Sequence, residues 1–108
     1  MGRYLLIESR DPFDSPDTGF VRDLSRALVQ GGHGVTVFLV QNGVLPARPC
    51  IHSAALTSLA QAGVTILADD FSLRERGIAA DSLVQGVRAA ALDVVIDGMA
   101  DGAKTIWH

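Results

Sequence analysis

The chain has 108 residues, of which 48% are hydrophobic, 6% aromatic and 19% charged, and its formal net charge is −3. This length is enough for one domain with a single hydrophobic core, while the acidic balance and the scarcity of aromatic side chains argue against a nucleic-acid partner. The one cysteine cannot form an internal disulfide, which favours a reducing, cytoplasmic location, and no apolar run is long enough to predict a membrane span.

Apolar, strand-like runs alternate with helical patterns along the chain. Residues 4–7 are the first predicted strand, and a turn-rich loop separates it from a helix that begins at Asp17 or Thr18 and ends at Gly31. The next predicted elements are a strand over 35–40, a helix over 50–63 and a strand over 64–68. A helix over 82–92 capped by Asp81, a strand over 93–98 and a strand over 103–107 follow.

This order of elements predicts the fold class. Strands separated by helices form βαβ units, and continuous apolar strand sequences are typical of strands that are buried on both faces. We therefore expect residues 1–108 to form one α/β domain with three α/β/α layers and a mainly parallel sheet of about five strands.

Mostly polar residues lie at the ends of the predicted strands. They are Glu8, Ser9 and Arg10 at the end of the first strand, Gln41, Asn42 and Gly43 after the second, Asp69 and Asp70 after the third, and Asp97 at the end of the fourth. In parallel sheets, ligands bind at the carboxyl ends of the strands. Ser9, Asn42, Asp69 and Asp70 are therefore the predicted ligand-binding residues.

Cys50 is a candidate nucleophile because it starts a predicted helix between Arg48 and His52. A helix N-terminus and a nearby cation both stabilise a thiolate, and His52 can exchange a proton with it. These three residues are the predicted catalytic group. The alternative is a buried cysteine that packs as a small apolar residue, which is how free cysteines commonly occur.

Asp69 and Asp70 also allow two interpretations. Adjacent carboxylates at a strand end can bind Mg²⁺, and with Asp97 they would form a module that binds magnesium or a small ligand. In the simpler interpretation, one aspartate caps the helical turn that follows and the other is solvated.

Other chemical motifs are missing from the sequence. It contains no G-x-G-x-x-G or P-loop motif for a nucleotide and no Cys/His metal motif, so we predict no metal and no cofactor. Trp107 is expected either to complete an edge strand or to dock on a partner. His108 is expected to be mobile.

Four segments cover nearly the whole chain. They are "YLLIESRDPFDSPDTGFVRDLSRAL", "GGHGVTVFLVQNGVL", "AGVTILADDFSLRERGI" and "DSLVQGVRAAALDVVI". In their order and spacing they resemble the strands, helices and "RGI" segment of the DsrE/DsrF/DsrH-like sulfur-relay family, which includes the subunits of the TusBCD complex. The resemblance implies a DsrE-like fold and a part in intracellular sulfur trafficking. It also implies trimers or hexamers, built from this chain alone or with related subunits, and a sulfur-carrier protein as a partner.

The resemblance fails at one position. Members that transfer sulfur carry their reactive cysteine in the loop after the third strand, a few residues before the "RGI" segment. Here that loop covers residues 69–75 and contains no cysteine. The resemblance therefore implies a subunit that is non-catalytic or that uses Cys50, and it leaves open whether the chain is an enzyme. A purely structural or regulatory oligomer subunit is the alternative.

Overall fold

Five parallel strands form one sheet in the computed structural model, which describes residues 2–108. The strands are β1 (Arg3–Glu8), β2 (Gly34–Leu39), β3 (Thr65–Asp69), β4 (Val87–Ala90) and β5 (Lys104–Trp107), in the spatial order β4-β3-β2-β1-β5. All four strand pairs are parallel. The predicted α/β class with a five-stranded parallel sheet is therefore confirmed.

In the described part of the chain, four α-helices and three 3-10 helices connect the strands. The α-helices are α1 (Gly19–Gln30), α2 (Ser53–Gln61), α3 (Asp70–Glu75) and α4 (Asp93–Ala100). The 3-10 helices are Pro16–Thr18, Gln41–Ala47 and Ala80–Ser82. Within residues 2–108, no helix is long and apolar enough to cross a membrane.

The two faces of the sheet are covered unequally. On the first face, Val21 of α1, Leu59 of α2 and Leu73 of α3 pack against a large cluster that includes Val37 and Ile66 of the sheet. The second face carries a smaller cluster of apolar strand residues. It contains Leu5, Ile7, Phe38, Val40 and Leu67, and the buried residue that covers it is Val95 of α4. The second face thus has one eight-residue helix as its outer layer.

The helix predicted over 82–92 and the strand predicted over 93–98 are wrong, because these segments adopt the opposite structures. Gly86 has φ +96°, which ends any helix there, and a Cβ at this position would lie 2.6 Å from the Cβ of Ala60. Beyond it, Val87 and Ala89 pair with β3 as an edge strand. Alanine and arginine favour helices, so the composition of this edge strand misled the prediction.

Residues 93–98 misled the prediction in the opposite direction. Their β-branched residues favour a strand, yet Val95 is buried in α4 while Val94 and Ile96 remain exposed. Gly98 also lies against the sheet, where a Cβ would stand 3.4 Å from Cδ2 of Leu5. The apolar residues of this segment therefore follow a helical period, with only part of them facing the sheet.

The outer side of α4 is apolar. Leu92, Ile96 and Met99 follow the i, i+4, i+7 spacing of one helix face, and they are 52%, 59% and 55% exposed. Trp107, at the end of β5, is also exposed. We call Leu92, Ile96, Met99 and Trp107 the α4 surface.

Candidate functional site at the carboxyl edge of the sheet

A cleft of about 40 Å³ lies between α1, α2 and the carboxyl ends of β1 and β2. Its apolar walls include Val21, Leu39, Leu56 and Leu59. Its polar lining consists of Glu8, Arg10, Thr18, Arg22 and His52. The cleft lies at the edge where the parallel sheet was expected to bind ligands.

Glu8 is a buried carboxylate at one side of this cleft. Both of its carboxylate oxygens lie 3.0 Å from Nδ1 of His108, and the backbone N–H of Arg10 donates to Oε2 at 3.3 Å. His108 is itself fixed, because its backbone N–H donates to the carbonyl oxygen of Ile7 at 2.7 Å. The prediction that His108 is mobile is therefore wrong.

Ser9 also helps to hold His108 in place. Its backbone N–H and its hydroxyl both donate to the carbonyl oxygen of His108, each at 3.1 Å. The Ser9 side chain thus holds β5 against β1 in this structure. Its predicted role in ligand binding remains a prediction.

Asp69 caps α3 and is buried. Its Oδ2 accepts hydrogen bonds from the backbone N–H of Ser72 at 3.0 Å and from the Ser72 hydroxyl at 2.6 Å. The Ser72 oxygen in turn accepts the backbone N–H of Gln41 at 2.8 Å, where Gln41 has φ +52°. These bonds hold a left-handed residue at the end of β2, so they support the capping interpretation of Asp69.

Asp70 and Asn42 make contacts at the surface. Asp70 lies 3.8 Å from NH1 of Arg74 and has a side chain that is 42% exposed. The Asn42 side-chain oxygen accepts a hydrogen bond from Nε of Arg76 at 3.0 Å. Asp69 is therefore the cap and Asp70 is in contact with solvent, as the simpler interpretation predicts.

Asp97 does not share this edge of the sheet. It lies within α4, on the second face, and therefore not at a strand end as predicted. Within residues 2–108, no three His, Cys, Asp or Glu side chains come close enough to hold a metal ion. The premise that Asp69, Asp70 and Asp97 converge is wrong.

We predict that Asp69→Ala lowers the free energy of unfolding by about 2–3 kcal/mol, because it leaves the buried Ser72 N–H and hydroxyl without an acceptor. Asp70→Ala is the matched control. It removes an exposed ion pair, which contributes less than about 1 kcal/mol. Urea titrations followed by circular dichroism measure both. Equal losses for the two variants would contradict the role assigned to Asp69.

Cys50 lies in the turn between the second 3-10 helix and α2, and it is partly exposed. Its Sγ is 4.0 Å from the carbonyl oxygen of Pro46, a residue that lines the cleft. Its backbone N–H donates to the Ser53 hydroxyl oxygen at 3.1 Å, and that hydroxyl donates to the Cys50 carbonyl oxygen at 2.7 Å. The Cys50 sulfur is therefore not buried in the core.

The surroundings of the thiol differ from the prediction. The helix α2 begins at Ser53 and not at Cys50, so Cys50 lies outside the first turn, where the helix dipole acts most strongly. Arg48 is exposed and donates from Nε to the Leu45 carbonyl oxygen at 3.0 Å. The His52 ring packs edge-to-face on Phe13, with centroids 4.5 Å apart. Within residues 2–108, neither side chain forms a hydrogen bond with the Cys50 sulfur.

Gly43 brings the loop after β2 directly onto β1. A Cβ on Gly43 would lie 2.2 Å from the carbonyl oxygen of Glu8 and 3.0 Å from its carbonyl carbon. That same oxygen accepts the backbone N–H of Val40 at 3.0 Å. The wall of the cleft beside Glu8 therefore depends on a residue without a side chain.

The sequence analysis placed Glu8 and Arg10 at the end of the first strand without choosing them as ligand-binding residues, and it missed Arg22 and His108. Glu8 and Arg10 carried the signal of charged residues at a strand end of a parallel sheet. His108 offered no such signal, because it reaches Glu8 only through the pairing of β5 with β1.

A family model for DsrE/DsrF-like proteins matches residues 2–107. Among curated proteins, none matches the chain. Several solved structures share its fold, among them the following three. MTH1491 of Methanobacterium thermoautotrophicum, described as a protein of unknown function, is 20% identical, with a TM-score of 0.86 and complete coverage of both chains.

The ychN protein of E. coli is 18% identical to this chain, with a TM-score of 0.84 and complete coverage of both chains. BT1422 of Bacteroides thetaiotaomicron, also described as being of unknown function, is 16% identical, with a TM-score of 0.79 and coverage of 98% of this chain and 94% of its own. These similarities support the fold, and the family model covers almost every residue. The chain belongs to the DsrE/DsrF-like family.

Proposed function

We propose that this protein is an oligomeric subunit of an intracellular sulfur-relay system and that Cys50 is its sulfur-accepting residue. Membership of the DsrE/DsrF-like family supports the sulfur-relay role. The loop in which the family's sulfur-transferring members carry their cysteine here begins with the capping residue Asp69. Cys50 is the one thiol of the chain.

The observation that carries the role of Cys50 is its partial exposure in the turn next to the cleft. A sulfur acceptor must reach its donor, which a thiol in the core cannot do. In the proposed step, the Cys50 thiolate attacks the outer sulfur of a donor persulfide. A new S–S bond forms on Cys50, the S–S bond of the donor breaks, and the donor leaves as a thiolate.

We expect the purified protein to gain the mass of one sulfur atom after incubation with a persulfide donor, and Cys50→Ser to gain none. Intact-protein mass spectrometry, with and without a reductant that releases sulfane sulfur, measures this change. Alkylation of Cys50 under native conditions serves as the accessibility control.

An alkylated but never persulfidated Cys50 would contradict the acceptor role, and so would a thiol that reacts only in urea. Either result would leave a non-catalytic subunit as the function. The α4 surface favours this second candidate, because a stripe of exposed apolar side chains over a thinly covered sheet face is typical of a subunit interface. Copies of this chain or related subunits are its proposed partners, in the cytoplasm, together with a sulfur-carrier protein.

A further inference from the structure

The cleft between α1 and α2 has an apolar interior that water fills poorly. Its volume of about 40 Å³ has room for about three water molecules. Side chains such as Val21, Leu56 and Leu59 line it, and they offer water no hydrogen bonds. A short hydrocarbon chain can therefore displace that water favourably.

Arg22 lies at this cleft without a carboxylate partner. Among the charged residues that line the cleft, Glu8 is paired with His108 and Arg10 with Asp17. None of the ion pairs within residues 2–108 includes Arg22. Its guanidinium folds back along the first turn of α1 beside Gly19, where a Cβ would lie 3.4 Å from NH2.

His52 adds a second polar group to the lining. Its ring is held edge-to-face by Phe13, and its nitrogen atoms form no hydrogen bond with the rest of residues 2–108. One cation and one imidazole thus lie beside an apolar interior, and both can donate to an anion.

We propose that this cleft binds a small carboxylate with a short saturated chain of about three or four carbon atoms. The chain occupies the apolar interior, Arg22 pairs with the carboxylate, and His52 provides a further donor. An arginine fits this task because its planar guanidinium can bind both oxygens of a carboxylate. This site is independent of sulfur transfer by Cys50.

Titration with butyrate, followed by two-dimensional amide NMR, tests the proposal. We expect saturable shifts at millimolar butyrate, confined to amides of α1, α2 and the end of β1. Butanol and butylammonium have the same chain without the carboxylate, and each should bind about tenfold more weakly.

Four variants test the separate parts of the site. Arg22→Gln should weaken butyrate binding about tenfold, whereas Arg26→Gln removes the same charge one turn later on α1, from a residue outside the cleft lining, and should leave it unchanged. Ala55→Leu fills the cleft and should abolish binding, with its amide spectrum showing that it is folded. Cys50→Ser should bind butyrate like the unmodified protein.

The absence of saturable shifts would overturn the proposal, as would shifts located away from the cleft. Butanol binding as tightly as butyrate would show an apolar cavity without anion selectivity and would also overturn it. Equal affinity of Arg22→Gln and Arg26→Gln would remove Arg22 from the site. None of these results depends on whether Cys50 accepts sulfur, so the two proposals fail separately.

Discussion

Gly43→Ala is expected to unfold the protein or to lower its free energy of unfolding by about 3 kcal/mol or more. The added Cβ would lie 2.2 Å from the Glu8 carbonyl oxygen, and its other close contacts are also backbone atoms. Because these contacts are with backbone atoms, no side chain can rotate away to make room for the added methyl group. The Glu8 oxygen cannot retreat without losing the hydrogen bond from Val40, and that bond fixes the loop after β2.

Urea unfolding monitored by circular dichroism measures this effect, and Gly34→Ala is the control. At Gly34 a Cβ would make an ordinary contact, 3.6 Å from Cγ of Arg3. We expect this control to stay within about 1 kcal/mol of the unmodified protein. A Gly43→Ala variant that unfolds at the same urea concentration as the control would show that the approach of the loop to β1 is not tight.

On the proposal that the α4 surface joins subunits, Ile96→Asp is expected to convert the oligomer into monomers. Burying an apolar side chain of this size contributes about 1.5–3 kcal/mol at each interface, and an aspartate at the same place would be buried without a partner. The dissociation constant should therefore rise by about a hundredfold or more. The stability of one protomer should change little, because Ile96 is 59% exposed within it.

Analytical ultracentrifugation over a range of concentrations measures the mass of the assembly. Phe71→Asp provides a matched control, because Phe71 is also 59% exposed and lies on α3 near the carboxyl edge of the sheet. We expect Phe71→Asp to retain the oligomer. A monomeric unmodified protein, or an Ile96→Asp variant of unchanged mass, would contradict the role of the α4 surface.

The first three strands could be predicted because both of their faces are buried, which makes their sequences almost continuously apolar. The segment Val35–Leu39, for example, is rich in β-branched residues and lies in the central strand β2. Of the two edge strands, β5 was predicted at 103–107, whereas β4 was not. An edge strand is half exposed, so β4 can be built from arginine and alanine, whose preference is helical.

The site was predictable where it depends on local sequence. The cap joins Asp69 to Ser72, three positions later, and a strand that ends in aspartate before a helical turn favours such a cap. The cleft depends instead on how α1 packs beside α2, and the Glu8–His108 contact depends on a strand pairing between the two ends of the chain. Neither arrangement leaves a pattern in neighbouring residues.

The pairing of β5 with β1 has a consequence for the order of folding. Glu8 and His108 are 100 residues apart, so during synthesis β1 can pair with β2 long before β5 has been made. The helices α1 and α2 can dock on β1, β2 and β3 through nearer contacts, which form faster because they close shorter loops. The Glu8 carboxylate then lacks its His108 partner until residues 104–108 emerge, whereas α4 precedes them and can already cover the second face of the sheet. We therefore expect closure of β5 to come late in folding, and it adds Trp107 to the α4 surface at the same time as it brings His108 to Glu8.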